Sequence, residues 1–406
     1  MKMYNYRVKN SNVMNGIFFT FIVFNNVFQR IVPFMSYLDE LILLWAIIYL
    51  ISKGIKNRRC LRVVICVFLI IFIGLFSNVC FGYQSSYIGV IKDLYAFLKF
   101  PIVAIACFLY AGRRYDFRRN AIATILSKIY LTILTLFGLV NLVIDIGMSA
   151  DVRHGIRSFK FLFGHPTFLV LSVVIMISVI VAHGLKRTDY IFVVEAIFLL
   201  IISMRDKGFG FAALLFIILF LVPNAKKIKN YIPLAVLVAF FISKDKIKEY
   251  ASWSWSPRFE LYRSGLKILK DCFPIGTGFA TFSSYISGEY YAKTYYIYGF
   301  FGRNAPVNPD NYADLGDAGL PYFAQFGIIG IIILVVMYIT LFKICKKWFE
   351  GNSWNYKACI LLLGYAAIAS LVENVFTNES GALIPLIIFI YLTDKKNENK
   401  DIGYNV

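Results

Sequence analysis

The polar residues of this chain suggest two kinds of chemistry. Guanidiniums recur in three separated segments: Arg153 and Arg157, Arg205 beside Lys207, and Arg258 near Arg263. Arginine forks offer planar, bidentate hydrogen bonds that suit phosphate or pyrophosphate oxygens. Arg153 and Arg157 are four apart and would share a face on a helical turn. Arg205 and Lys207 sit in a short turn between apolar runs, where a cation wants a partner. Together these residues read as a convergent anion site, with Arg258, Arg157 and Arg205 as its main donors. The second chemistry is that of a base. A partly buried carboxylate such as Asp317, with Asp314 beside it, can take a proton from an attacking hydroxyl; Glu260 and Glu373 are fallback bases. Plainer roles stand beside these. Arg205 and Lys207 can snorkel to lipid headgroups with Asp206 as a local partner. Arg153 and Arg157 can be ordinary loop charges, and Asp317 can cap a helix before Gly319. His165, before Pro166, fits either the anion site or a structural helix entrance.

The elements that must hold these groups follow from their neighbours. Ser256-Pro257 reads as a helix start, with serine at the cap and proline in the first turn. That helix should run to about Asp271 and stop before Pro274. Arg258 and Tyr262 would share one face, while Arg263, Lys267 and Lys270 form a second stripe, solvated or facing headgroups. In Pro274-Ile275-Gly276-Thr277-Gly278, the glycines permit positive φ or close backbone approach, which a phosphate cradle also needs. Tyr285, Tyr290, Tyr291, Tyr295, Tyr296 and Tyr298 either stack on sugar faces or, for most of them, sit at a membrane interface.

Composition sets the class. Hydrophobic residues make up 59% of 406 positions and charged residues 16%, with a mean hydropathy of +0.68. A soluble chain carries about 25% charged residues. The net charge of +19 does not point to nucleic acid, because most lysines and arginines lie in connectors between apolar runs. Runs near the ~20 residues of a spanning helix are Val13–Arg30, Tyr37–Ile51, Leu61–Phe81, Ile88–Tyr110, Ala121–Met148, Phe161–His183, Tyr190–Met204, Gly208–Val222, Tyr231–Ser243, Gly319–Phe342, Ala358–Val372 and Gly381–Leu392. The expectation is an all-α polytopic membrane protein with about 12 spans, some of the later ones tilted or broken. Basic clusters at 53–62, 113–119, 186–187, 226–229 and 343–357 fall in alternate connectors. They place both termini in the cytoplasm and the polar segment 244–318, between spans nine and ten, outside. The seven cysteines show no paired or metal-ligating spacing, so neither a disulfide framework nor a metal or other cofactor is expected.

Arg258 to Phe279, with its arginine, aromatic residues and PxGxG turn, resembles the signature of the O-antigen polymerase and ligase family of membrane glycosyltransferases. The block Asp317-Ala-Gly-Leu-Pro-Tyr-Phe-Ala-Gln-Phe-Gly327-Ile-Ile-Gly330 resembles the family's next motif. Arg157 to Pro166 and Ser203 to Gly208 lie where the family carries external arginines. The ligase branch has a histidine near the start of the last block; this chain has Asp314 and Asp317 there, which favours a Wzy-type polymerase. The resemblance implies a bacterial inner-membrane enzyme that joins polyprenyl-pyrophosphate-linked repeat units into O-antigen, capsule or exopolysaccharide. Arg258 and Asp317 would be catalytic, with Arg153, Arg157, His165, Arg205, Lys207, Tyr262, Arg263, Gly276, Gly278 and Asp314 binding pyrophosphate or glycan. A separate protein regulating chain length would be a further partner. A ligase is the nearer alternative; a transporter of lipid-linked oligosaccharide, with the same span count, is the more distant one.

Overall fold

The computed structural model describes residues 10–113, 117–153, 155–222, 256–300 and 308–393. It is 75% helical with almost no strand, as apolar runs interrupted by short polar connectors dictate. The helices of the first half are α1 (Asn10–Val23), α2 (Asn25–Ile31), α3 (Leu38–Lys53), α4 (Arg58–Phe81), α5 (Tyr87–Arg113), α6 (Phe117–Val143), α7 (Pro166–Ala182), α8 (Tyr190–Ile202) and α9 (Asp206–Phe216). The polar segment contributes α10 (Pro257–Asp271), α11 (Tyr285–Glu289) and α12 (Lys293–Ile297), and the chain continues through α13 (Gly327–Trp348), α14 (Ser353–Ala369) and α15 (Glu379–Leu386). Short polar caps set several boundaries. Asn57 accepts from Arg59 N and Cys60 N to start α4, and Gly82 in the left-handed region ends it. Asn352 and Asn378 cap α14 and α15 in the same way.

Five helical stretches are long and apolar enough to cross a membrane: Pro33–Lys53, Arg58–Phe81, Tyr87–Gly112, Asn120–Val143 and Pro321–Trp348. α4 turns Phe68, Phe72, Phe76 and Val79 outward, a face that suits lipid and not water. α7 is the opposite case. It is buried on nearly every side and packs against α6, α8 and α14, which is why it is apolar all round. Other elements are short. α8 has 13 residues, about 20 Å at 1.5 Å per residue. α15 has 8, followed by 5 in wider π-helical turns.

Each expected apolar run coincides with a helix except Tyr231–Ser243, which lies outside the described residues together with 244–255 and 301–307 of the polar segment. Several boundaries move. The first run breaks at Phe24 into α1 and α2, and the hydroxyl of Ser172 on α7 donates to the freed carbonyl of Val23. α6 stops at Val143, short of Met148, and α7 starts at Pro166, not Phe161. α13 begins at Gly327, because Pro321–Phe326 forms a 3-10 turn first. The segment carrying Arg153 and Arg157 is no helical turn. It is a β-hairpin, β1 (Ser149–Arg153) and β2 (Ile156–Phe159), reversing through Gly155 at φ 78. Arg153 pairs with Ile156 and Arg157 with Val152, so the two guanidiniums leave opposite faces of the ribbon.

The polar segment has a core of its own. Leu261, Ile268, Phe282, Tyr295, Phe300 and Leu315 are buried against one another. Tyr295 is central: its hydroxyl meets Ser287 Oγ at 2.6 Å and accepts from Ser283 N at 2.9 Å. This tyrosine is therefore packing within the segment, while Tyr285 and Tyr296 remain exposed.

Candidate functional site

Six chain segments meet at the end of the bundle formed by the last turns of α6, α8 and α14 and the first turns of α7, α9 and α15. The hairpin brings Asp151 and Arg153. Arg153 Nε donates to Asp151 Oδ2 at 2.8 Å, and Arg205 Nη2 donates to Asp151 Oδ1 at 3.0 Å. One carboxylate thus bridges two guanidiniums. Burial alone would raise Asp151, but the Arg153 hydrogen bond and the Arg205 charge hold its carboxyl below the usual range. The hairpin is fastened to α8 by Ser158, whose hydroxyl donates to Ser203 O at 2.8 Å.

Arg205 gets its direction from a tight reversal. Met204 lies at φ 52, a left-handed conformation that non-glycine residues rarely adopt. It joins α8 to α9 so that Arg205 and Lys207 both face inward. The Arg205 side chain is 11% exposed, and its Nε is buried with no partner among the described residues. Lys207, 4% exposed, places its ammonium 2.8 Å from both oxygens of Glu373. Snorkelling to solvent is therefore not its role. His165 caps α7, its Nδ1 accepting from Thr167 N at 3.3 Å, which leaves the ring proton on Nε2. Partial burial and then the charges of Arg205 and Lys207 push this imidazole down to about 4.

The second half of the site hangs on the turn after α14. Gly319 N and Leu320 N both donate to Ser370 O at 3.1 Å. A Cβ on Gly319 would run into the carbonyls of Ser370 and Glu373, so only glycine lets the two chain segments approach this closely. Tyr262 on α10 donates its hydroxyl to Leu371 O at 2.9 Å, and Asn374 Nδ2 donates to Ser283 O at 2.6 Å. One turn of α10 from Tyr262, Arg258 holds Asp317 twice. Its Nε donates to the Asp317 carbonyl at 2.9 Å and its Nη2 to Oδ2 at 3.0 Å. Asp317 closes a short 3-10 turn as its C-cap and is not the N-cap of the next one, which is Leu320. Although its side chain is half exposed, enclosure by surrounding protein pushes its carboxyl up. Arg258 pulls it down, and Asp314 and Glu373 add to the rise. Asp314 itself is exposed.

Not every expected residue joins. Arg157 closes the end of α6, its Nη2 donating to Asn141 O at 2.9 Å and Leu142 O at 3.0 Å; it serves as a helix C-cap. Arg263 is 59% exposed and pairs with Glu260 at 3.4 Å on the outer face of α10. Gly276 and Gly278, at φ 74 and 93, point inward. Gly276 N donates to Cys272 O and Gly278 N to Gln325 O, while Phe279 N and Ala280 N go to Asn78 and Asp93. These bonds lock the polar segment to α4 and α5 and leave neither glycine N–H for a phosphate.

Sequence reasoning overlooked two groups. Glu379, at the start of α15, accepts from Asn25 Nδ2 at 2.8 Å and Gln29 Nε2 at 2.9 Å. Lys99, on α5, is buried between Asp39 and Glu40 of α3. For Lys99, an ionisable residue inside an apolar run was the available signal.

Fold and site together define an all-α, membrane-embedded protein with paired cations and carboxylates at one end of the bundle. Comparison with protein-family models, with curated proteins and with solved structures finds no match.

Proposed function

We propose that this chain is a polysaccharide polymerase with about 12 spans and cytoplasmic termini, acting at the outer face of the bacterial inner membrane on polyprenyl-pyrophosphate-linked repeat units. The observation that carries the reading is the convergence of Arg153, Arg205, Lys207 and Arg258 on one end of the bundle, each beside a carboxylate. Two arginines share the single carboxylate of Asp151, and Arg205 Nε, buried without a partner among the described residues, is a donor awaiting an anion.

In the proposed reaction, the acceptor's sugar hydroxyl attacks the anomeric carbon of the donor glycan. The carbon–oxygen bond to pyrophosphate breaks, and polyprenyl pyrophosphate leaves with the bonding pair. Arg153 and Arg205 would stabilise the charge it gains. The hydroxyl proton passes to Asp317, whose raised carboxyl makes it a stronger base than an ordinary aspartate. Glu373 is the weaker candidate, since Lys207 occupies both its oxygens. Arg205→Ala should lower chain extension by about 10²–10³-fold, leaving single-repeat glycans on a length ladder; an unchanged ladder would sink the assignment.

Transport is a second reading, favoured by the buried Lys99–Asp39–Glu40 cluster within the helices. Reconstituted vesicles separate the two. Extension of lipid-linked repeats without their transfer across the bilayer supports the polymerase, and transfer without extension supports transport.

A further inference from the structure

α10 shows three chemistries in order around its outer side. At about 100° per residue, Phe259, Leu266 and the following Phe273 make an apolar edge, 47%, 71% and 68% exposed. Arg263, Lys267 and Lys270 come next as a cationic strip, all exposed. Glu260 and Asp271 complete the sequence on the far edge. The opposite side, with Leu261, Ser264, Gly265 and Ile268, is buried in the polar segment.

The apolar edge continues into the lipid-facing surface of the bundle. Phe273 precedes Pro274, whose carbonyl accepts from Ile329 N at 3.2 Å in the first turn of α13. There Ile328, Ile329 and Ile332 are themselves exposed on a helix able to cross the membrane. Next to it, Ser77 near the end of α4 donates to Ile275 O at 2.9 Å. The C-terminal end of α10 thus stands where two apolar helices leave the bilayer.

We infer that α10 lies on the membrane surface, with its apolar edge among the acyl chains and Arg263, Lys267 and Lys270 on the phosphates of anionic lipid headgroups. A cationic strip between an apolar and an acidic edge matches the succession from acyl chain to headgroup to water. Docking the outer side holds the whole helix in place, including Arg258 and Tyr262 on the flank beside the apolar edge, so anionic lipid would steady the site whatever reaction it performs.

The test uses the full chain in vesicles of phosphatidylcholine with and without phosphatidylglycerol. Cys80, the exposed cysteine among the seven, is replaced by serine. An environment-sensitive fluorophore is then placed at Leu266→Cys or, separately, at Asp271→Cys. With phosphatidylglycerol, the label at 266 should be shielded from iodide and quenched by lipid-borne nitroxide, while the label at 271 stays open to iodide. Neutralising R263Q, K267Q and K270Q should lower the docked-to-lifted ratio by roughly fivefold per charge. Equal iodide access at 266 and 271 in both vesicles overturns the proposal. So does shielding that ignores both the anionic lipid and the three substitutions, since something other than headgroup charge then covers the face. Phe259→Cys repeats the measurement if the label at 266 disturbs folding.

Discussion

Arg258 and Asp317 pull against each other, and the balance is measurable. Enclosure raises the Asp317 carboxyl and the guanidinium lowers it. If Asp317 is the base, activity rises with pH as it deprotonates, so the acid limb of the rate profile lies higher than an ordinary aspartate would set it. Removing Arg258 removes a lowering influence. Arg258→Ala should therefore shift that limb to higher pH as well as slow extension, as read by glycan extension in vesicles across pH. Asp317→Asn should slow turnover and leave lipid-linked substrate binding largely intact. Lys207 tests a different balance. It is buried against Glu373, and removing one partner of a buried pair is more harmful than replacing both. Lys207→Met should destabilise by about 3–5 kcal/mol, and adding Glu373→Leu should recover much of the loss in a thermal unfolding assay.

The elements show where local sequence suffices and where it fails. Helix α10 runs from Pro257 to Asp271, with Ser256 at the cap position and Pro257 in the first turn as expected, although the Ser256 hydroxyl makes no capping hydrogen bond; proline and the downstream Pro274 act on immediate neighbours. The hairpin was equally local, yet the four-residue spacing of Arg153 and Arg157 suggested a helical face. Val152, Ile156 and the intervening Gly155 were the better signal. The PxGxG turn is a harder case. Its glycines announce an unusual backbone, but the reason lies in Asn78 and Gln325, far along the chain. Gly276→Ala would place a Cβ against the backbone of Gln325 and Gly327 at a positive φ. It should destabilise by at least about 2 kcal/mol, seen as a lower unfolding temperature with the polar segment released first to protease. An intact segment would mean the turn is not the lock described here.

At the scale of the whole molecule, the membrane class and most helices were legible, because hydropathy and charged connectors are one-dimensional signals. The site was legible only in part. Arg205, Lys207, Arg258 and Asp317 are present in it, but the turn at 370–374 that gathers them has no motif of its own. Glu379 meets Asn25 and Gln29 across some 350 positions, a distance no local pattern spans. The lengths of the helices carry one more consequence. α8 and α15 reach only about 20 Å, against ~30 Å of hydrocarbon, and they carry Arg205 and Glu379 at or just beyond their ends. Unless the bilayer thins around them, those charges would be drowned in oil. The protein should therefore act as a gauge of membrane thickness, fastest in short-chain lipid and progressively slower as acyl chains lengthen at constant headgroup, a dependence that extension assays in matched vesicles can measure.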